Sequence, residues 1–156
     1  RRLAWVCLLG TSLAAVLLTV AVPVETPTAV CSGDHLPDWN GAITGQKVGT
    51  ARVAIEGVDA HGVIGSAHDF FGGPGDYEVA IDYLAQGTAG PVGYVSYYDG
   101  KTFTTLATLA GEDVPRQNVS LLHVPPGQTG KSSSIKIMYT GHGTLAIARL
   151  SVERLR

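Results

Sequence analysis

The chain has 156 residues, of which 45% are hydrophobic and 15% charged, and its formal net charge is −2 at pH 7. A chain of this length holds one ordinary domain besides a short terminal segment, and its 20 glycines and 8 prolines favour strands and turns over long helices. Because it has no lysine- and arginine-rich run interleaved with aromatic residues, we expect no nucleic-acid partner.

The first element is an uncharged apolar segment, residues 3–22, which follows Arg1 and Arg2. About 20 apolar residues are enough to cross a bilayer, which predicts a transmembrane helix or signal anchor over residues 1–22 with the rest of the chain outside. The alternative is a signal peptide cut near Thr19-Val20-Ala21, but its apolar core is usually only ~7–15 residues long. Since the chain does not begin with Met, the segment could also be the last span of a larger membrane protein.

Residues 23–47 are rich in proline and turn-forming residues and are predicted to be a linker. Residues 48–156 are predicted to form one β-sandwich domain, because short β-like runs recur there between glycine and proline turns. The predicted strands cover about residues 50–58, 61–66, 76–85, 92–98, 102–110, 117–124, 133–140 and 143–152.

The strand at residues 76–85 has the clearest alternation and is expected to anchor the core. Its odd-numbered positions, Tyr77, Val79, Ile81 and Tyr83, should face the opposing sheet, while Glu78 and Asp82 face solvent. In the last strand the apolar residues change phase, which predicts a β-bulge near Ala148-Arg149 that keeps one inward face.

Two hairpins are predicted from turn residues. Asp99-Gly100 suits a two-residue type I′ turn, which would place Tyr98 opposite Lys101. The second predicted hairpin turns at Gly141-His142-Gly143.

The stretches "PGDYEVAIDY", "NVSLLHVPPG" and "SSSIKIMYTGHGTLAIARLSV" resemble the galactose-binding-like jelly rolls of the carbohydrate-binding-module type, over about residues 48–153. In that family a PG-x-Y entry precedes a core strand and a G-x-L-x-I strand closes the sandwich. A membrane span followed by such a module also resembles, in architecture, the extracytoplasmic tails of some bacterial cell-envelope membrane glycosyltransferases. The resemblance implies an all-β jelly-roll sandwich and sugar binding.

Aromatic rings stack on the apolar faces of sugars, while polar side chains bond the hydroxyl groups, so the aromatic hairpin and the tryptophan of the linker are the predicted binding surface. The candidate carbohydrate-binding residues are Trp39, Tyr94, Tyr98, Asp99 and Lys101. Phe103 is a further candidate ring. The alternative is that the rings of the hairpin fill the core and Trp39 packs the linker onto the sandwich.

No metal or cofactor is assigned, although a structural calcium ion is possible. His61, His68 and Asp69 do not have the spacing of a standard zinc site. Carboxylates that could serve calcium are Asp59, Asp69, Asp76, Glu112 and Asp113.

The sequence contains no catalytic constellation, so the protein is not expected to be an enzyme itself. A G-x-S-x-G elbow is absent, and Ser66, His68 and Asp69 lie too close along one strand to point the same way. We therefore expect a membrane-tethered extracytoplasmic module that binds or positions carbohydrate, with cell-envelope polysaccharide or the acceptor of a membrane glycosyltransferase as its ligand. The alternative is a non-catalytic structural or protein-interaction sandwich that packs on a membrane partner, which is favoured if every tyrosine and tryptophan is buried. A third option is an envelope hydrolase, which needs two carboxylates facing each other across a cleft, and Glu78 and Asp82 are the best-placed pair.

Overall fold

The computed structural model describes residues 28–36, 44–68, 70–87, 90–127 and 133–156. These residues form ten β-strands and one short 3-10 turn, Gly33–His35. The strands are β1 (Thr28–Ser32), β2 (Gln46–Val48), β3 (Ala51–Ile55), β4 (Gly62–His68), β5 (Gly75–Gln86), β6 (Pro91–Tyr98), β7 (Phe103–Ala110), β8 (Pro115–Val124), β9 (Ser134–Tyr139) and β10 (Thr144–Arg154). The predicted all-β class and the eight predicted strands are confirmed.

The strands form two antiparallel sheets. The larger sheet has the order β2-β3-β10-β5-β8, and β1 pairs with the second half of β10. The smaller sheet has the order β4-β9-β6-β7. Their inner faces enclose one apolar core, as expected for a β-sandwich.

The core confirms the predicted phase of the strongest strand, because Tyr77, Val79 and Ile81 of β5 are buried. Tyr83 packs against the same core but is only partly buried. The predicted β-bulge in β10 is also confirmed, since its register against β5 shifts between Ile147 and Arg149. The bulge lets Leu145, Ile147, Leu150 and Val152 all face inward.

Part of the segment predicted to be a linker belongs to the sandwich. Residues 28–32 of β1 pair with residues 149–153 of β10, and β2 pairs with β3. The partly buried Cys31 packs against the core. The prediction missed these strands because β1 follows two prolines closely and β2 has only three residues, all of them exposed.

The predicted hairpin at Gly141–Gly143 is wrong. The turn is present, but β9 joins the smaller sheet and β10 the larger one, so the turn connects the two sheets. Both strands are apolar enough to lie between two neighbouring strands, so β9 pairs with β4 and β6 while β10 pairs with β3 and β5. The Tyr139 hydroxyl stabilises this connection between the sheets by donating a hydrogen bond to the Gly143 carbonyl at 2.6 Å.

The predicted apolar span, residues 3–22, lies outside the described residues. Among the residues that the structure describes, no helix is long and apolar enough to cross a membrane.

Candidate functional site

The outer face of the smaller sheet carries the aromatic residues that the sequence singled out. In β6, Val95 and Tyr97 point into the core, so Tyr94, Ser96 and Tyr98 point outward. This division follows from the alternation of side chains along a strand. Neither Tyr94 nor Tyr98 is fully buried, which answers the alternative in which these rings fill the core.

A groove of about 470 Å³ crosses this face, which is a typical size for a small-molecule site. Its lining residues are His61, Tyr94, Ser96, Phe103, Thr105, Met138, Tyr139 and Thr140. The lining combines aromatic rings and one thioether with hydroxyl groups. Among the described residues that line it, none is a carboxylate, lysine or arginine, so the groove suits an uncharged, partly apolar ligand that can form hydrogen bonds.

One wall of the groove is formed by Phe103, whose ring packs against that of Tyr98. The rings of Tyr98 and Phe103 lie side by side, with centroids 4.7 Å apart and planes 32° apart. Phe103 remains 50% exposed, so much of its ring is open to a ligand. The Tyr98 hydroxyl donates to the Gly100 carbonyl at 2.8 Å, which holds this ring at the base of the loop.

The other end of the groove is fixed by bonds that tie its residues to the backbone. Thr140 donates from its backbone N–H and from Oγ1 to the Val92 carbonyl, both at 3.0 Å. Tyr139 is buried in the floor, and desolvation, with Glu56 and Asp59 nearby, raises the pKa of its hydroxyl. The tyrosine is therefore a neutral structural residue at physiological pH.

The loop between β6 and β7 differs from the predicted two-residue turn. Tyr98 pairs with Phe103 rather than with Lys101, so the loop contains four residues, 99–102. The extra length comes from Asp99, whose Oδ1 accepts hydrogen bonds from the backbone N–H groups of Lys101 at 2.8 Å and Thr102 at 2.7 Å. Both bonds lower the pKa of Asp99, and the bond from Thr102 has the larger effect.

The predicted sugar-binding residues therefore fall into three groups. Tyr94 lines the groove, and Tyr98 stacks on a lining residue. Asp99 and Lys101 lie in the adjacent loop, where Asp99 is already used to shape the turn. Trp39 lies outside the described residues. For all five residues, contact with a sugar stays a prediction.

A buried polar cluster on the same face was missed by the sequence analysis. Lys136 is fully buried, and its Nζ donates to Ser66 Oγ at 2.8 Å. Burial lowers the pKa of Lys136 to about 8. Lys136 lies directly opposite Ser96 on β6, a residue that lines the groove. In the sequence, this cluster is marked only by Lys136, which lies between the buried Ile135 and Ile137 and alternates with them on the same strand phase as Ser134 and Met138.

Three of the candidate calcium carboxylates have partners in the protein. Asp59 accepts hydrogen bonds from the backbone N–H groups of Gly45 and Ile55, Asp76 Oδ1 lies 2.7 Å from His123 Nδ1, and Glu112 pairs with Arg116. Asp82 bonds Gln117 and Arg149. Within the described residues, no three His, Cys, Asp or Glu side chains converge as metal ligands would. Asp69 and the side chain of His68 lie outside what the structure describes.

Comparison with known proteins is informative at the level of the fold. No family model and no curated protein matches the sequence. A solved CBM29-2 carbohydrate-binding module, a mutant complexed with cellulohexaose, aligns with a TM-score of 0.53 at 12% identity over 83% of this chain and 92% of the module. A second mutant of that module, complexed with mannohexaose, gives 0.53 at 13% identity over 83% and 93%. The chain therefore shares the β-sandwich fold of carbohydrate-binding modules of family 29.

Proposed function

We propose that this protein is a non-catalytic carbohydrate-binding module and that its ligand lies in the groove on the smaller sheet. The observation that carries the proposal is the half-exposed ring of Phe103 beside Tyr98, on the same open face as Tyr94. A protein-interaction sandwich with no ligand would have no need of a groove that combines aromatic rings with hydroxyl groups.

The chemistry of the lining selects the ligand class. Ring C–H groups of a pyranose can pack on the faces of Tyr94 and Phe103, and its hydroxyl groups can bond Ser96, Thr105 and the imidazole of His61. No carboxylate, lysine or arginine is present in the described lining, which favours a neutral glycan. The complexes of the family 29 module with two neutral hexasaccharides support this choice of ligand class.

The length of the groove favours an oligosaccharide over a single sugar. The lining ring Phe103 lies opposite Tyr98, four residues from Tyr94 along β6, so Tyr94 and Phe103 are separated along the strands by roughly 13 Å at about 3.3 Å per residue. One pyranose ring does not span that distance, whereas a short chain of sugars does. We expect affinity to rise with chain length until both ends of the groove are occupied.

The setting proposed for this module is the outer side of a membrane. Residues 3–22 would anchor it, and the ligand would be cell-envelope glycan, either a polymer or the acceptor of a linked membrane glycosyltransferase. The support for this setting is the apolar N-terminal segment together with a groove suited to glycan.

The experiment is a calorimetric titration of the full chain in lipid nanodiscs with neutral oligosaccharides, including cellulohexaose and mannohexaose. Nanodiscs are needed because many common detergents carry a sugar headgroup and would compete. Saturable binding that Tyr94→Ala weakens and Leu121→Ala leaves unchanged would support the proposal. The second variant is the control, because Leu121 is 73% exposed on the other sheet. No binding across a panel of envelope polysaccharides would favour the protein-interaction module instead.

A further inference from the structure

The N-terminal segment enters the sandwich at one particular end. Thr28, the first residue of β1, pairs with Glu153, which pairs in turn with Glu78, and Glu78 pairs with Leu121 of β8. The last residues of β10, the first residues of β5 and the last residues of β8 therefore meet at the end where the chain arrives from the predicted membrane span.

This end carries an exposed apolar corner. Leu121 is 73% exposed and Leu155 is 37% exposed. They border a shallow depression of about 420 Å³, whose other lining residues are Asp76, Leu122, His123 and Arg156. Leucines left open to solvent beside each other are a feature of surfaces that contact a partner.

The length of chain before β1 brings this corner close to the bilayer. Only six peptide steps separate Val22, the end of the predicted span, from Thr28, and they reach at most about 20 Å when fully extended. A tether of that length keeps the end of the sandwich that contains Thr28 near the lipid surface.

The charges of the two ends favour the same orientation. The near end has two arginines, Arg154 and Arg156, beside three carboxylates, Asp76, Glu78 and Glu153, and Asp76 lies 2.7 Å from His123 Nδ1. The opposite end, where β10 begins and β5 ends, is more acidic, because four carboxylates, Glu56, Asp59, Glu112 and Asp113, stand there beside the arginine Arg116. An anionic lipid surface attracts nearby arginines and repels the carboxylates.

We propose that the corner formed by Leu121, Leu155 and Arg156 rests on the lipid surface of the membrane that the N-terminal segment crosses. This inference rests on the proposed membrane anchor and is independent of glycan binding. It fixes the direction of the groove, because Thr140 and His61 lie at the end of the sandwich away from the bilayer. A glycan would then enter from the side facing away from the membrane.

The test places a fluorophore at each end of β8 in the full chain. Cys7→Ala and Cys31→Ala remove the native thiols, and NBD is attached at Leu121→Cys or, as the matched control, at Val114→Cys. Val114 is also an exposed apolar residue, but it precedes β8 at the opposite end. Both proteins are reconstituted into phosphatidylcholine–phosphatidylglycerol vesicles with and without doxyl-labelled lipid, and circular dichroism confirms that each is folded.

We expect the label at position 121 to emit at shorter wavelength and to lose emission when doxyl lipid is present, while the label at position 114 is unaffected. Equal quenching at both positions, or quenching at neither, overturns the inference. A chain that does not sediment with the vesicles overturns it too, together with the anchor. Emission that shifts with protein concentration but is not quenched would show that a second copy covers the corner. Calorimetric glycan binding by the same preparations reports on the groove separately.

Discussion

Replacing Phe103 with alanine should separate ligand binding from folding more clearly than any other single change. The ring is half exposed and stacks on Tyr98 with a centroid separation of 4.7 Å. A stacked ring contributes ~0.5–1.5 kcal/mol beyond its buried area, and the ligand would lose a similar contact. At ~1.4 kcal/mol per decade, affinity for a hexasaccharide should fall by a factor of about 2 to 12.

The stability loss of the same variant should be modest. Full burial of such a side chain is worth roughly 1.5–3 kcal/mol, and half of the Phe103 side chain is exposed. Adding the lost ring pair gives about 1–3 kcal/mol, or a fall in Tm of roughly 4–12 °C for a domain of this size. Binding measured by calorimetry at 20 °C would therefore concern a folded protein.

Two further substitutions at Phe103 distinguish ring stacking from simple apolar contact. Phe103→Trp keeps a flat ring and should bind the hexasaccharide nearly as well as the unmodified chain. Phe103→Leu keeps apolar bulk without a flat face and should bind as weakly as Phe103→Ala, with a smaller fall in Tm. The reasoning is refuted if Phe103→Ala binds normally, or if Phe103→Leu retains full affinity.

The remaining predictions concern stability and the chain ends. Because the pKa of Lys136 is lowered to about 8, the unfolded chain binds more protons than the folded chain between about pH 8 and 10. The free energy of unfolding should therefore rise across that interval. Chemical denaturation at each pH should show this rise in the unmodified chain and not in Lys136→Met. Gly93→Ala should destabilise by more than about 2 kcal/mol, since its Cβ would lie 2.6 Å from both the Met138 carbonyl oxygen and Leu145 Cδ2. Gly72→Ala is its control, because nothing lies within 4 Å of that Cβ, and equal melting temperatures would contradict the packing described here. A truncated chain that begins at residue 24 should unfold cooperatively in calorimetry. Its melting temperature should be higher than that of a chain that begins at residue 34, which lacks β1. Equal melting temperatures would mean that β1 contributes no stability.

The parts of the fold that the sequence could predict are those encoded by local alternation. The alternation of Tyr77, Val79 and Ile81 indicates a strand with one buried face, and the change of phase between Ile147 and Leu150 indicates a bulge. Both are properties of a single strand, so they need no knowledge of its neighbours.

The errors arose where the outcome depends on partners distant in sequence. The turn at residues 141–143 reads as a hairpin, but β9 pairs with β4 and β6 while β10 pairs with β1, β3 and β5. The loop after Tyr98 contains the expected Asp-Gly, yet the Asp99 carboxylate captures two backbone N–H groups and lengthens it. Hydrogen bonds from backbone N–H groups to a side-chain carboxylate compete with the two-residue turn, and they leave no pattern in the sequence of the flanking strands.

The candidate site was predictable only in part for the same reason. The outward phase of Tyr94 and Tyr98 follows from alternation along β6. His61, Met138 and Thr140 come from other strands and turns, and the pairing of β9 with both β6 and β4 brings them to the same groove. The bond from Lys136 to Ser66 spans 70 residues, so no local pattern could indicate it.

The central claim, that a glycan occupies this groove, has a direct test in the single methionine of the chain, Met138. Its side chain lines the groove, so a ¹³C-methyl label on methionine places one NMR signal in the site of the full protein in nanodiscs. Titration with a hexasaccharide that binds by calorimetry should move this signal in a saturable way, with the calorimetric Kd and with a weaker response in Phe103→Ala. A Met138 signal that stays unchanged while the sugar binds would place the ligand elsewhere and contradict the account.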